Sequence, residues 1–344
     1  MKDLIIRETS EEAFDFIANH LDVRSSENLI TSTTTAFNIE KQFPKSFKNI
    51  VNLKRVNDAR WVNKLFEAVN FKLEDGGLYM GNVETYSLRK QRILKKYPPV
   101  INWGVYTIDF MIMRVSPKVW GLKKLYFFVS RGQNRVMSKA ETLGRLYSCG
   151  FEVVEEKLID NRFYFLVRKI KDPVFDYNPT YGPLIRLKRE GKDGKMIRVY
   201  KARTMHAYSE YLQEYVYQQN ALQEGGKFKD DFRITTVGKI LRKFWLDELP
   251  MIFNLLKRDL KIVGVRPLSD HYRSLYPEDF QQRRKNYRPG LVPPFYADLP
   301  KDLEEIIDSE RRYLDAYDKH PLRTDWKYFW KAFHNIVFKR ARSK

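Results

Sequence analysis

The chain has 344 residues, 43% of them hydrophobic and 31% charged, with 16 Gly and 15 Pro; this excludes disordered, collagen-like and low-complexity classes and leaves room for two domains. Its 63 Lys and Arg against 43 Asp and Glu give a formal net charge of +20, which favours an anionic partner: nucleic acid, an anionic lipid surface or a phosphate-rich substrate. The single cysteine, Cys149, excludes an intramolecular disulfide, no uncharged apolar run reaches about 18 residues, and the N-terminus lacks a signal-peptide layout, so a cytoplasmic address is expected.

Chain order begins with a negative fact. The first glycine is Gly76, so residues 1–75 contain no Gly-rich loop of the kind that brings backbone close to a phosphate or cofactor. Residues 49–53 (NIVNL) read as a buried strand, and residues 58–70 place Trp61, Leu65, Phe66 and Val69 at helical spacing. Residues 73–81 (LEDGGLYMG) read as a turn entering a strand. Ser138 and Glu141 have the spacing of a capping box, the serine accepting from the N–H three residues on and the glutamate reaching back. That helix is expected to end at Gly150, followed by strands at 151–155 and 162–168 with Asp160-Asn161 at the turn.

Residues 45–170 resemble the second half of a class I methyltransferase fold, through the strand, the helix, the LxxGGxxxG-like turn and the final helix and hairpin. The resemblance implies an α/β domain, methyltransferase-like but incomplete. The glycine-free first strand-helix region argues against cofactor binding in the usual way. An unrelated α/β domain that uses a Gly-Gly turn is the alternative. Residues 171–181, rich in Pro, Asp, Asn and Tyr, read as a linker between domains at 1–170 and 182–344.

The second half is denser in motifs. Gly182-Pro183 leads to a basic hairpin turn at 189–195, an alternating strand, and then Lys201-Ala202-Arg203-Thr204-Met205. Residues 231–238 read DFRITTVG, residues 246–250 read LDELP ahead of an apolar helix with Ile252, Leu255 and Leu256 on one side, and residues 263–267 read VGVRP. Arg288-Pro289-Gly290 closes the set. In this order the motifs closely resemble the bacterial sugar transferase family, the monotopic phosphoglycosyl transferases, over about residues 182–290. The implied fold is α+β and helix-rich.

The resemblance implies transfer of a sugar-1-phosphate from a nucleoside diphosphate sugar to a polyprenyl phosphate at the cytoplasmic face of the inner membrane, with Mg²⁺. It makes Asp247 the nucleophile, through a covalent phosphosugar intermediate, with Glu248 as its partner; both are candidate metal ligands. Lys201, Arg203, Arg242 and Arg266 fall on positions for binding substrate phosphates. The chemistry is physically consistent. A carboxylate attacking a diphosphate needs cations to offset like-charge repulsion, and Arg forks bind phosphate through paired hydrogen bonds. Pro250 puts both carboxylates at a helix start, where the helix dipole favours the ionised form. Taken alone, an Asp at that place is an N-cap. Neither His206 nor His271 has a partner spacing that signals a metal site.

The sequence departs from the family in three places. No long apolar helix precedes Gly182, Val265 stands where the family has proline, and Leu291 to Tyr296 (LVPPFY) replace a Trp-Gln segment. A lipid acceptor could then be reached through residues 326–340, where Trp326, Phe329, Trp330, Phe333 and Val337 share one helical face flanked by Lys327, Lys331 and Lys339. Packing of that face on the domain core is the competing reading. The aromatic stretch 98–120 is a second candidate for interfacial contact. A soluble transferase with another acceptor, and a non-catalytic component of a glycan assembly complex, are alternative functions. The halves are nearly equally basic, 29 against 20 acidic residues in 1–172 and 34 against 23 in 173–344, and no recognition motif supports nucleic-acid binding.

Overall fold

A computed structural model describes residues 1–119, 121–175, 181–219 and 231–339. The chain divides into two compact units, Met1–Tyr181 with His206–Tyr215, and Gly182–Met205 with Val216–Lys344. The excursion His206–Tyr215, which the linear sequence places in the second half, therefore folds with the first.

The first unit is built on a five-stranded sheet. Its strands are β1 (Asn28–Thr31), β2 (Phe47–Arg55), β3 (Leu73–Val83), β4 (Phe151–Ile159) and β5 (Arg162–Lys169), in the order β1-β2-β3-β5-β4. β1, β2 and β3 pair in parallel, whereas β5 runs antiparallel to both β3 and β4. Helices cover both faces, so β2 is buried along a continuous run, as parallel strands require. On one face Phe16 and Ile17 pack against Val51, Leu53, Met80 and Leu166. On the other, Phe66, Tyr79 and Phe165 meet edge to face.

Three local expectations change. The helix runs Val62–Lys72 with Leu65, Phe66 and Val69 buried, but Trp61 precedes it and lies exposed between Arg60 and Lys64. The glycine pair is a bulge inside β3 and not a turn before it: the register jumps between Phe47↔Leu73 and Asn49↔Leu78, with Gly76 at φ +82°. Only half of the capping box forms. Glu141 N–H donates to Ser138 Oγ at 3.0 Å, while the Glu141 carboxylate turns inward to cations. The expected close of the Lys139–Ser148 helix holds. Gly150 has φ +83°, and a Cβ there would collide with the Lys171 carbonyl.

The second unit opens with the hairpin of β6 (Leu184–Glu190) and β7 (Met196–Ala202), turned at Asp193-Gly194 with both φ positive. β8 (Lys261–Val263) and β9 (Gly290–Val292) pair in parallel, which brings the VGVRP and RPG motifs side by side. A Cβ on Gly290 would overlap Gly264 N, so this approach requires glycine. Two long helices, Leu303–Lys319 and Pro321–Val337, pack with Tyr313, Leu314, Tyr328 and Phe329 against Val263 and Val265. Pro321 occupies the first turn of its helix, where its missing N–H costs nothing.

Candidate functional site

Alternation along β7 sets the site's first wall. Ile197 and Val199 point inward onto Met251 and Leu260, and Lys201 shares their parity. Its ammonium donates to Glu248 Oε1 at 2.7 Å. Asn254 fixes this register. Wholly buried, it accepts from Tyr200 N at 3.0 Å and donates to Arg198 O at 2.8 Å, binding the segment after Glu248 to β7. Ala202 N–H donates to Asp247 O at 2.8 Å, so the dyad's backbone is anchored to the strand as well.

Glu248 starts a helical turn, Leu249–Met251, that continues as Ile252–Leu256. Neither carboxylate serves as its cap, because no side-chain cap bond forms there. Glu248, 6% exposed, spends its charge on Lys201, and Asp247 is left half-buried. Burial pushes the Arg242 guanidinium down, and the negative charges of Asp247 and Asp231 oppose that shift.

Thr204 is a hub that sequence reading missed. Its carbonyl accepts from Thr235 N at 2.9 Å and its hydroxyl accepts from Arg242 Nε at 3.0 Å. Thr235 caps the Thr236–Lys243 helix by accepting from Gly238 N at 2.8 Å. A Cβ on Gly238 would collide with the Thr204 carbonyl, which gives a physical reason for glycine in the DFRITTVG motif. Gly238→Ala is accordingly expected to lower stability by about 1–3 kcal/mol in urea unfolding. Asp231 and Arg233 form a buried paired salt bridge beside this junction, at 2.7 Å.

Arg266 comes from the segment after β8 and lies 5.4 Å from the centre of the Phe295 ring. Its backbone is held from both sides: its N–H donates to Glu310 Oε1 at 3.2 Å, and its carbonyl accepts from Arg284. Arg284 also pairs with Glu310. Burial pushes the Glu310 carboxyl up, while Arg284 and Arg266 act to lower it. Neither Glu310 nor Arg284 belongs to a recognisable motif, and only the fold reveals their role.

A pocket of about 160 Å³ brings Lys201, Glu248 and Arg266 together with Arg189, Tyr272 and Tyr296. Arg203 is placed differently. Its Nε donates to Gly182 O at 2.9 Å and its N–H to Pro183 O at 2.6 Å, tying down the entry to β6. The LVPPFY segment lines the pocket through Leu291, Pro293, Phe295 and Tyr296. Trp245 Nε1 donates to the Tyr296 hydroxyl at 3.1 Å, and burial, followed by Glu248, pushes that hydroxyl's pKa up.

Among the described residues no group of three or more His, Cys, Asp or Glu could hold a metal by itself. Asp247 and Glu248 offer two adjacent carboxylates. That donor set suits Mg²⁺, which binds through one or two carboxylates plus substrate phosphates.

The Pro321–Val337 helix divides the expected aromatic face. Phe329 packs on the core, with Thr324, Ala332 and Asn335 buried on the same body. Trp326, Trp330 and Phe333 remain 66%, 46% and 45% exposed. Lys331 pairs with Asp298 at 2.8 Å. The rest of the basic tail, residues 340–344, lies outside the described residues, as do Trp120 and the side chain of His271. Exposed apolar side chains also surround the dyad: Val237, Ile240 and Phe244 on one side in sequence, Leu249, Phe253 and Leu256 on the other. No helix among the described residues is long and apolar enough to cross a membrane.

Residues 177–339 match the model of a family described as bacterial sugar transferase. The chain is 34% identical over 135 residues to galactosyl transferase CpsE of Streptococcus agalactiae, covering 38% of this chain and 29% of that protein. It is 36% identical over 115 residues to the UDP-N-acetylgalactosamine-undecaprenyl-phosphate N-acetylgalactosaminephosphotransferase of Aeromonas hydrophila, covering 32% and 24%. Identity is 39% over 116 residues to the UDP-glucose:undecaprenyl-phosphate glucose-1-phosphate transferase of Klebsiella pneumoniae, covering 32% and 22%. The matched stretch thus spans less than a third of each of these three relatives.

Proposed function

From the match of residues 177–339 to the bacterial sugar transferase family, we propose that this chain transfers a sugar-1-phosphate from a nucleoside diphosphate sugar to undecaprenyl phosphate, the first step of a lipid-linked glycan. The observation that carries the reading is the convergence of Lys201, Glu248 and Arg266 on one pocket, directly beside Asp247. Relatives named as undecaprenyl-phosphate sugar-phosphate transferases support the substrate class.

Asp247 attacks the sugar-bearing phosphorus; the bond from that phosphorus to the bridging oxygen breaks, and nucleoside monophosphate leaves. The lipid phosphate oxygen then displaces the carboxylate and carries away the phosphosugar. Asp247 and Glu248 would hold Mg²⁺ together with the substrate phosphates, and the ion would supply charge neutralisation of the diphosphate. Lys201 and Arg266 offset the remaining charge, and Lys201 holds the Glu248 carboxylate in place. Tyr296 and Phe295 shape the wall that contacts the sugar or acceptor.

The exposed apolar side chains around the dyad and on the last helix support peripheral docking at the cytoplasmic face of the inner membrane. In the first unit, Ile101, Trp103, Ile108, Leu125 and Phe128 are exposed and present a further apolar surface. The order of the N-terminal sheet, three parallel strands and then an antiparallel strand inserted before the last, supports reading that unit as the second half of a methyltransferase-like fold.

The test is nucleoside monophosphate release from a panel of nucleotide sugars with Mg²⁺ and undecaprenyl phosphate. Lipid-dependent release supports the proposal; release without lipid moves the acceptor to a soluble phosphate, and no release with any sugar overturns it. For membrane contact, replacing Trp326, Trp330 and Phe333 together by Ser is expected to reduce co-sedimentation with anionic vesicles by roughly tenfold or more. Unchanged sedimentation would exclude this helix as the contact.

A further inference from the structure

Glu141, freed from the reciprocal half of its capping box, lies inside the first unit where four cations converge. It accepts from Arg114 Nη1 at 3.0 Å, Lys118 Nζ at 3.0 Å and Arg145 Nη2 at 3.1 Å. Arg135 is the fourth, interacting electrostatically with Glu141 and Arg145. His206 completes the group, its Nδ1 within 3.2 Å of Arg114 Nη2. Burial, then Arg114, pushes its pKa down to about 3, so the ring is neutral and accepts that hydrogen bond.

Four positive charges thus face one carboxylate, a surplus of three; Glu141, Arg114 and Arg145 are buried, and Lys118 and Arg135 are half-buried. Buried charge of one sign is costly unless a counter-charge meets it. Burial pushes Lys118 down to about 8 and Arg135 to about 10, whereas Glu141 holds Arg145 up against its own burial. Two donors are also left over. The Nε groups of Arg135 and Arg145 are buried without a hydrogen-bond partner, although the Arg145 side chain is only 5% exposed. Its Nη1 is held by Asn63 at 2.5 Å, and its guanidinium stacks 4.6 Å from the Tyr208 ring and 5.3 Å from Tyr181.

We propose that this cluster is a binding site for a phosphate dianion, free or carried by a phosphomonoester, held by Arg135, Arg145 and Lys118 and bordered by Tyr181 and Tyr208. A dianion offsets most of the surplus, which a single carboxylate would not. Its several oxygens match guanidinium forks and take up the orphan N–H groups. Lys118, with its side chain 23% exposed, marks the entrance. His206 and Tyr208 reach the cluster from the stretch that follows Met205, which is why the constellation has no signature in either half of the sequence.

Isothermal titration of the full chain with inorganic phosphate and with uridine monophosphate, against chloride at matched ionic strength, tests the site. The informative variant is Arg135→Gln, because the Arg135 side chain has Met137 Sδ, at 3.9 Å, as its hydrogen-bonding contact and removing it leaves no carboxylate unpaired. Wild-type binding that weakens tenfold or more in Arg135→Gln, with an unchanged thermal midpoint in chloride, is expected. Arg266→Gln, which removes a cation from the transferase pocket, should leave that binding intact, which separates the two sites. Phosphate binding identifies the free ion as sufficient; uridine monophosphate binding alone identifies a phosphomonoester. Lys118→Gln, at the entrance, serves if Arg135→Gln does not fold. Absence of binding by both ligands at millimolar concentration, or binding that neither variant alters, overturns the site.

Discussion

Replacing Asp247 by Asn is expected to cut nucleoside monophosphate release by on the order of 10³ to 10⁴-fold while leaving the fold intact. The change keeps size and shape but removes the carboxylate lone pair that attacks phosphorus. Asp247 is half-buried and caps no helix, so little structure depends on its charge. Its backbone carbonyl, which accepts from Ala202, is untouched by the substitution. A labelled nucleotide sugar, offered without lipid, should leave covalent phosphosugar on the wild type and none on Asp247→Asn. Label retained by the variant would move the nucleophile elsewhere, and Glu248→Gln would then be the next variant to examine. Lipid-dependent turnover with no trapped label in either protein would favour direct transfer to the acceptor.

Lys201→Met is the second large effect, and it acts on stability as well as catalysis. The lysine is the partner of a carboxylate that is 6% exposed, and its removal leaves that charge uncompensated in the pocket wall. Breaking a fully buried pair costs about 3–5 kcal/mol; with the Lys201 side chain 21% exposed, roughly 2–3 kcal/mol is expected in urea unfolding. Adding Glu248→Gln to Lys201→Met should restore part of that loss, because the buried charge is then gone. A double variant no more stable than Lys201→Met would show that the ion pair is not the cause. Turnover should fall in every combination, since Glu248 loses its charge or its orientation, and a double variant that regains stability without activity would separate the two roles of the pair.

The position of Phe329 shows where periodicity stops being informative. Spacing placed it on one stripe with Trp326, Trp330 and Phe333. The stripe is real, but the helix packs Phe329 on the core and leaves Trp326, Trp330 and Phe333 in solvent. Only the neighbours decide which of these is buried. The same holds for Arg203, whose type and position suit phosphate binding, yet whose Nε is spent on the Gly182 carbonyl. The sequence motif specifies a cation there; the hairpin's base specifies what it touches.

The amino-acid sequence by itself determined the features written locally. These are the strands β2 to β5 with the helices Val62–Lys72 and Lys139–Ser148, the Asp160-Asn161 hairpin turn, the basic β6–β7 hairpin and the placement of Asp247 and Glu248 at a helix start just before Pro250. Each rests on dihedral preference or on side-chain spacing within one element, and such information is present in a short window of residues. Tertiary structure alone decided the rest. Asn254 sets the dyad's register on β7, Glu310 and Arg284 hold Arg266, Thr204 receives the Thr236–Lys243 helix, and Glu141 abandons its cap for four cations. These are contacts between residues separated by tens of positions, made by common residue types whose surface role and buried role look identical in a linear string. What distinguishes the two is desolvation: once the chain closes, a buried polar group must find a partner, and the fold determines which one.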